Sequence, residues 1–176
     1  MKLWQKIFLW TLLIVMTAVS TLGVLLLKNN FRSSMKRQIQ STLSEHQYLI
    51  SNINNRIVAE RLRNDSILLT SKEVVTVIDG IFENSDTKEA TVVALLNLYD
   101  EVLYNNTQIE INEELFNKVV DTKTTCKQII REGSKHYLII ASTVTFERQD
   151  YIFVTSTNIS EIYNLYTSQL NYAKLL

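Results

Sequence analysis

TCKQIIREGSKHYLIIASTVTFERQDYIFVTST, residues 125–157, contains three β-rich runs, 125–131, 137–146 and 151–157. Glu132-Gly133-Ser134-Lys135 and Glu147-Arg148-Gln149-Asp150 separate them, both spacers of hairpin length, so the runs read as a three-stranded antiparallel meander. Side chains alternate across a strand. That places Tyr137, Ile139 and Ala141 on one face of the middle strand and His136, Leu138 and Ile140 on the other, and neither face is polar enough to mark a pocket.

Upstream, Asn112 is placed to cap a helix carrying Leu115, Phe116, Val119 and Val120. Before it, residues 91–99 (TVVALLNLY) read as a strand, Asp100-Glu101 as a turn, and Val102, Leu103 and Tyr104 as a short returning strand, which together make a hairpin. Ser71 is expected to cap a helix through Val74, Val75, Val77, Ile78, Ile81 and Phe82, ending near Glu83, where Asn84-Ser85-Asp86 offers turn chemistry. Downstream of the meander, Asn158 or Ser160 is expected to cap an amphipathic helix with Ile162, Leu165, Tyr166, Leu170 and Tyr172. Its pattern is still running at Leu176, as in a chain that continues.

Residues 28–63 contain neither Gly nor Pro and read as one helix of roughly 50 Å. Ile39, Leu43, His46, Ile50, Ile53 and Ile57 follow one another at spacings of 4-3-4-3-4, the seam of a coiled coil or of a helix laid along a partner. Packing on the chain's own domain and pairing in a parallel homodimer both remain open. Residues 7–27, IFLWTLLIVMTAVSTLGVLLL, have no charge and at 1.5 Å per residue match the roughly 30 Å core of a bilayer. They read as a transmembrane helix continuing outward into the long helix. A cleaved signal peptide is the competing reading, with Ala18-Val19-Ser20 as its small-residue site, but apolarity resumes at Leu22.

Net charge is zero yet segregated: residues 28–63 hold seven Lys/Arg against two Asp/Glu, and residues 64–176 nine against sixteen. A basic neck next to anionic headgroups accounts for the first segment, and there is no nucleic-acid footprint. Lys2 and Lys6 before the span and Lys28, Arg32, Lys36 and Arg37 after it leave orientation open on charge alone. A single cysteine, Cys126, reads as a small apolar strand residue and excludes an intrachain disulfide framework. No metal-ligand spacing, phosphate loop, serine nucleophile motif or paired carboxylate site is present, so the segment carries no catalytic constellation.

The order span, long helix, short helix, hairpin, connecting helix, meander and final helix resembles extracytoplasmic PAS-like sensor domains of the PDC or single Cache type. The resemblance covers residues 30–176 and is most telling at LLNLYDEVLYNN, residues 95–106, where that family has a strand, a D-x-x-G turn and a returning strand; here no glycine follows Asp100-Glu101. It implies an α+β fold in which a transmembrane helix runs into a long helix packed on an antiparallel PAS-like sheet of about five strands, with an exit helix at the C-terminal end. The implied layout is a cytoplasmic leader over 1–6, a span over 7–27, a juxtamembrane and dimerisation helix over 28–63, a sensor domain over 64–158 and an exit helix over 159–176.

The implied function is signal input to a bacterial sensor histidine kinase of the two-component type, in the cell membrane and as a homodimer. A small-molecule or peptide ligand would be read outside the cell, and a second span, the ATP- and Mg-using kinase module and its response-regulator partner would lie beyond this segment. A chemoreceptor, a cyclic-dinucleotide enzyme or a secreted adaptor with a cleaved signal peptide are the alternatives. Candidate ligand contacts are Arg131, His136, Tyr137, Tyr151 and Asp100, Arg131 because a guanidinium can hold a carboxylate or phosphate through two parallel bonds. His46 invites comparison with a phosphoacceptor histidine, but no acidic residue follows it directly. A polar seam residue fixes register or pairing more readily, with a pH-responsive contact between protomers as a sharper version.

Overall fold

The computed structural model describes residues 3–83, 91–99, 101–106 and 112–175. The fold is α+β, in the order α1 (Leu3–Arg63), α2 (Ser71–Glu83), β1 (Thr91–Asn97), β2 (Val102–Asn105), α3 (Glu113–Thr122), β3 (Cys126–Glu132), β4 (Lys135–Phe146), β5 (Gln149–Asn158) and α4 (Ser160–Leu175). The chain divides into two compact units, Met1–Gln38 with Ser160–Leu176, and Ile39–Ile159.

In Ile39–Ile159 the five strands form one antiparallel sheet in the order β2-β1-β5-β4-β3. Helices cover both faces, and the alternation of side chains along the central strands sorts them into two cores. Phe153, Tyr151, Val93, Leu95, Val144 and Phe146 pack with Ile53 and Ile57 of α1 and with Val74, Ile78 and Phe82 of α2. Ile152, Val154, Ala94, Leu96, Ile139 and Ala141 pack with Leu115, Phe116 and Val119 of α3. Coverage on both sides explains why β5 is buried continuously from Tyr151 to Thr157 instead of on alternate residues.

The helix ends follow local chemistry. α1 stops where Asp65 turns into the left-handed region (φ 48°) and the Ser66 N–H reaches back to the Arg61 carbonyl at 3.1 Å, a Schellman-type closure. Thr70, not Ser71, caps α2. The Thr70 N–H (2.7 Å) and hydroxyl (2.8 Å) donate to Glu73 Oε2, and these bonds hold the Glu73 carboxyl below the usual carboxylate range. Thr70-x-x-Glu73 is a capping box that displaces the expected cap by one residue and frees the Ser71 hydroxyl for Gln149 Oε1 at 2.7 Å. Asn112 caps α3 as expected, its Oδ1 accepting from Glu114 N–H at 2.8 Å. Asn158 instead ends β5, and Ser160 is the first residue of α4.

Both meander turns are two residues long, tighter than the four-residue spacers in the sequence, because β4 begins at Lys135 and β5 at Gln149. Phe146 pairs with Gln149, so Glu147 (φ 49°) and Arg148 (φ 66°) are the centre of the β4–β5 turn, with both residues left-handed. A non-glycine residue there carries a steric cost of roughly 1–2 kcal/mol. Glu147 is compensated: its side chain is 5% exposed and accepts from Arg61 Nη1 (3.5 Å) and the Leu69 N–H (3.1 Å). Arg148 has no such tie among the bonds described. Arg148→Gly is therefore expected to stabilise the fold by about 1 kcal/mol, checked by the urea unfolding midpoint. The β1–β2 turn manages without glycine because Asn97 Oδ1 accepts from the N–H groups of Tyr99 and Glu101, both at 2.9 Å.

In the other unit, α1 holds a window long and apolar enough to cross a membrane, none of it buried. Thr11, Thr17 and Thr21 turn their hydroxyls back to the carbonyls of Ile7, Ile14 and Thr17 at 2.7–2.9 Å, so these polar groups are satisfied within the helix itself. Past that window Phe31 packs on α4, its ring 4.4 Å from that of Tyr166 and 5.4 Å from that of Tyr163, centroid to centroid.

Candidate functional site

The buried polar chemistry of the sheet domain centres on His46. The face α1 turns to the sheet consists of Thr42, His46, Ile53 and Ile57, all at or below 1% exposure, with Leu49 and Ile50 half-buried beside them. Opposite lie Ser142 of β4 and Thr155 of β5. Thr155 pairs with Ile140, so the two hydroxyls are diagonal neighbours on one face of the sheet. His46 bridges them, with Nδ1 2.9 Å from Thr155 Oγ1 and Nε2 2.8 Å from Ser142 Oγ, while its ring lies 5.3 Å from that of Phe153.

Either tautomer fits, because each hydroxyl can donate or accept. Protonation would not break the geometry, since both hydroxyls can rotate to accept. What opposes it is the cost of placing a charge away from water, and this burial lowers the His46 pKa from 6.5 to about 4. The imidazole is thus a neutral clamp joining helix to two strands. A Ser–His pair at 2.8 Å has the spacing of an activated nucleophile, but Ser142 is 6% exposed and His46 1%, and the third member is a hydroxyl instead of a carboxylate. A substrate has no access to it, nor has a phosphoryl donor to His46.

The seam expected on α1 is thereby located. His46, Ile53 and Ile57 are buried on the chain's own sheet, Ile50 packs against the same core, and Ile39 and Leu43 are half-buried. Contact between protomers through His46 is corrected by this geometry: both ring nitrogens are occupied by hydroxyls of the same chain. Thr42, Ser142 and Thr155 escape a search for apolar seams, since a buried hydroxyl has the same sequence signature as an exposed one. The ion pair of Glu147 escapes it too.

Among the candidate ligand contacts, Arg131 and His136 are brought together as cross-strand partners of β3 and β4. Arg131 is exposed, and its Nε donates to the Gly133 carbonyl at 3.0 Å, bracing the turn. Tyr137 points to the opposite face, half-buried against the α3 core. Tyr151 pairs with Val144, eight residues or about 26 Å along β4 from His136. It is 3% exposed, and its hydroxyl lies 2.7 Å from Gln149 Oε1 and 3.2 Å from Ser71 Oγ. Asp100 lies outside the described residues. Arg131, His136, Tyr137 and Tyr151 do not converge on one cavity.

A cavity of about 310 Å³ does open between α1 and α2, lined by Arg56, Glu60, Asn64, Glu73, Thr76 and Gly80 among others. Of its charged groups Glu73 is committed to the α2 cap. No cluster of three or more His, Cys, Asp or Glu suited to a metal ion is found among the described residues, and Cys126 is a buried free thiol.

No protein-family model matches the chain, and no curated protein does. Among solved structures, a Mycobacterium tuberculosis transcriptional regulator is similar over 43% of this chain and 31% of its own length, at 6% identity and a TM-score of 0.31. A likeness that loose carries no argument about function.

Proposed function

We propose that the chain is the membrane-anchored, extracytoplasmic sensing part of a signalling receptor, a PAS-like domain of the PDC or single Cache type serving as the input half of a dimeric two-component sensor histidine kinase. The main support is the way the elements are strung together. One helix, α1, carries an apolar window fit for a bilayer and, further along, lies on the sheet through His46, Ile53 and Ile57. The central strand β5 then leads into α4 after a single residue. Both helices that enclose the sheet domain in sequence are thus tied to its most buried strand, one by packing and one covalently.

In this scheme a small molecule, a peptide or envelope stress alters the sheet or its loops. The change is passed to α1 and α4 as a small axial displacement or rotation, which biases a two-state output module. Phosphotransfer, ATP with Mg and the response regulator belong to that module. The His46 clamp holds α1 in one register on β4 and β5, so that a change in those strands reaches the helix without slippage.

Orientation is tested by labelling intact cells with a membrane-impermeant maleimide after Ile67→Cys, a position 87% exposed. Labelling without permeabilisation is expected; labelling only after lysis would overturn the extracytoplasmic assignment. Coupling is tested by disulfide formation between Phe31→Cys and Tyr166→Cys in receptors locked on and off through their output module. A yield that differs between the two states is expected, and identical yields would rule out displacement between these helices.

A further inference from the structure

A groove of about 410 Å³ lies between α1 and α4, in the unit that also holds the apolar window. Asn30, Ser33, Ser34 and Arg37 line it from α1, and Glu161 and Leu165 from α4. Leu165 is 60% exposed. The packing of Phe31 on Tyr163 and Tyr166 holds the two helices together beside it. We infer that this groove seats the headgroup of one anionic glycerophospholipid, its phosphate on Arg37, Ser33, Ser34 and Asn30 and the hydroxyls of its glycerol on Glu161.

Position argues for it first. At 1.5 Å per residue Asn30 lies about 4–5 Å beyond Leu27, within a headgroup layer about 5–8 Å deep, and Ser34 about 10 Å beyond Leu27, just past the outer edge of that layer. Arg37 does not reach away from that layer. Its Nη2 is 3.5 Å from Ser34 Oγ, so the guanidinium hangs one turn back toward the apolar window and stands level with the hydroxyls. Aromatic rings are also favoured at this depth, which suits Phe31, Tyr163 and Tyr166.

Charge argues for it second. Lys28, Arg32, Lys36 and Arg37 fall within ten residues, and Glu45 is the first acidic residue of the chain. Three kinds of donor then face one groove: a guanidinium, two hydroxyls and an amide, the set that binds phosphate oxygens. Among the described residues Glu161 is the one carboxylate lining the groove, and it opposes an anion. Its carboxylate oxygens can accept from the hydroxyls of a glycerol headgroup. The shared chemistry is a phosphate oxyanion, available from lipid or from solution; apolar Leu165 and the depth of the groove favour the lipid.

The inference rests on the membrane anchor proposed above, and the test separates the two. Full-length chain is first shown to stay in membranes washed with alkaline carbonate, then placed in mixed micelles of phosphatidylglycerol and phosphatidylcholine and examined by native mass spectrometry. Wild type is expected to retain one phosphatidylglycerol, and Arg37→Gln to lower its occupancy about tenfold, the loss of one charge-assisted contact. Lys36→Gln, which removes an equal charge outside the groove, is expected to leave occupancy unchanged. Ser34→Ala supplies a milder variant should Arg37→Gln fail to give wild-type circular dichroism. Release by carbonate would overturn the anchor and this inference together. In an anchored chain, equal retention of phosphatidylcholine, equal loss in Arg37→Gln and Lys36→Gln, or displacement of the lipid by millimolar inorganic phosphate would overturn the groove assignment alone.

Discussion

Phe153→Ala is expected to cost about 4 kcal/mol, read as a fall in the urea midpoint followed by the far-ultraviolet dichroism of the full chain in detergent. Phe153 is fully buried on the central strand, faces Leu95 and Ser142 across its two ladders, and packs in the core shared with α1 and α2. Alanine leaves a void whose walls are held by strands on both sides and helices above, so little collapse can refill it. A folded domain of this size has roughly 5–15 kcal/mol in hand, which makes the change large but survivable. Loss is expected also at the His46 clamp, whose ring borders Phe153. The double variant with His46→Ala should therefore be less than additive. A cost below about 1 kcal/mol would mean that β5 is not the buried centre of the sheet.

Acidification is expected to remove about 3 kcal/mol of stability between pH 6.5 and pH 4 through His46 alone. The sign follows from burial. The folded pKa, about 4, lies below the 6.5 of the unfolded chain, so the unfolded state binds the proton more readily. The contribution is complete above pH 6.5 and is lost as the pH falls toward 4. Ser142, Thr155 and Phe153, the described partners of the ring, bring no carboxylate that would hold an imidazolium in place. His46→Gln keeps a hydrogen-bonding side chain without the titration. The difference in unfolding free energy between wild type and this variant isolates the effect from the surface carboxylates. It should change steeply with pH across that interval, and a constant difference would show that His46 is not held neutral.

Much of the architecture was legible in the sequence. Strand alternation, the cap at Asn112 and the end of the long helix at residue 63 are local signals, fixed within one or two turns of chain, and the elements they delimit are the ones observed. Turn lengths were less legible, because Lys135 and Gln149 are polar and exposed like loop residues and join the ladder only through their backbone. The cap of α2 slipped by one residue since Thr70 and Ser71 are both good caps, and only Glu73 decides between them. The candidate site was the least legible part. That His46 matters could be suspected from its place in an apolar seam, but its partners are 96 and 109 residues away, and no local pattern announces a hydroxyl that will be buried.

The placement of β5 bears on force as well as on stability. Its backbone is bonded on one side to β1 from Thr91↔Thr157 to Asn97↔Tyr151 and on the other to β4 from Tyr137↔Asn158 to Phe146↔Gln149. A pull arriving at the Asn158 end along the strand loads both ladders in shear, with every bond sharing the tension, whereas a pull on an edge strand such as β2 would unzip its bonds one after another. A strand held in that way is a stiff rod. It would hand a displacement on at nearly full amplitude, and the compliance of the sheet would lie at its two edges.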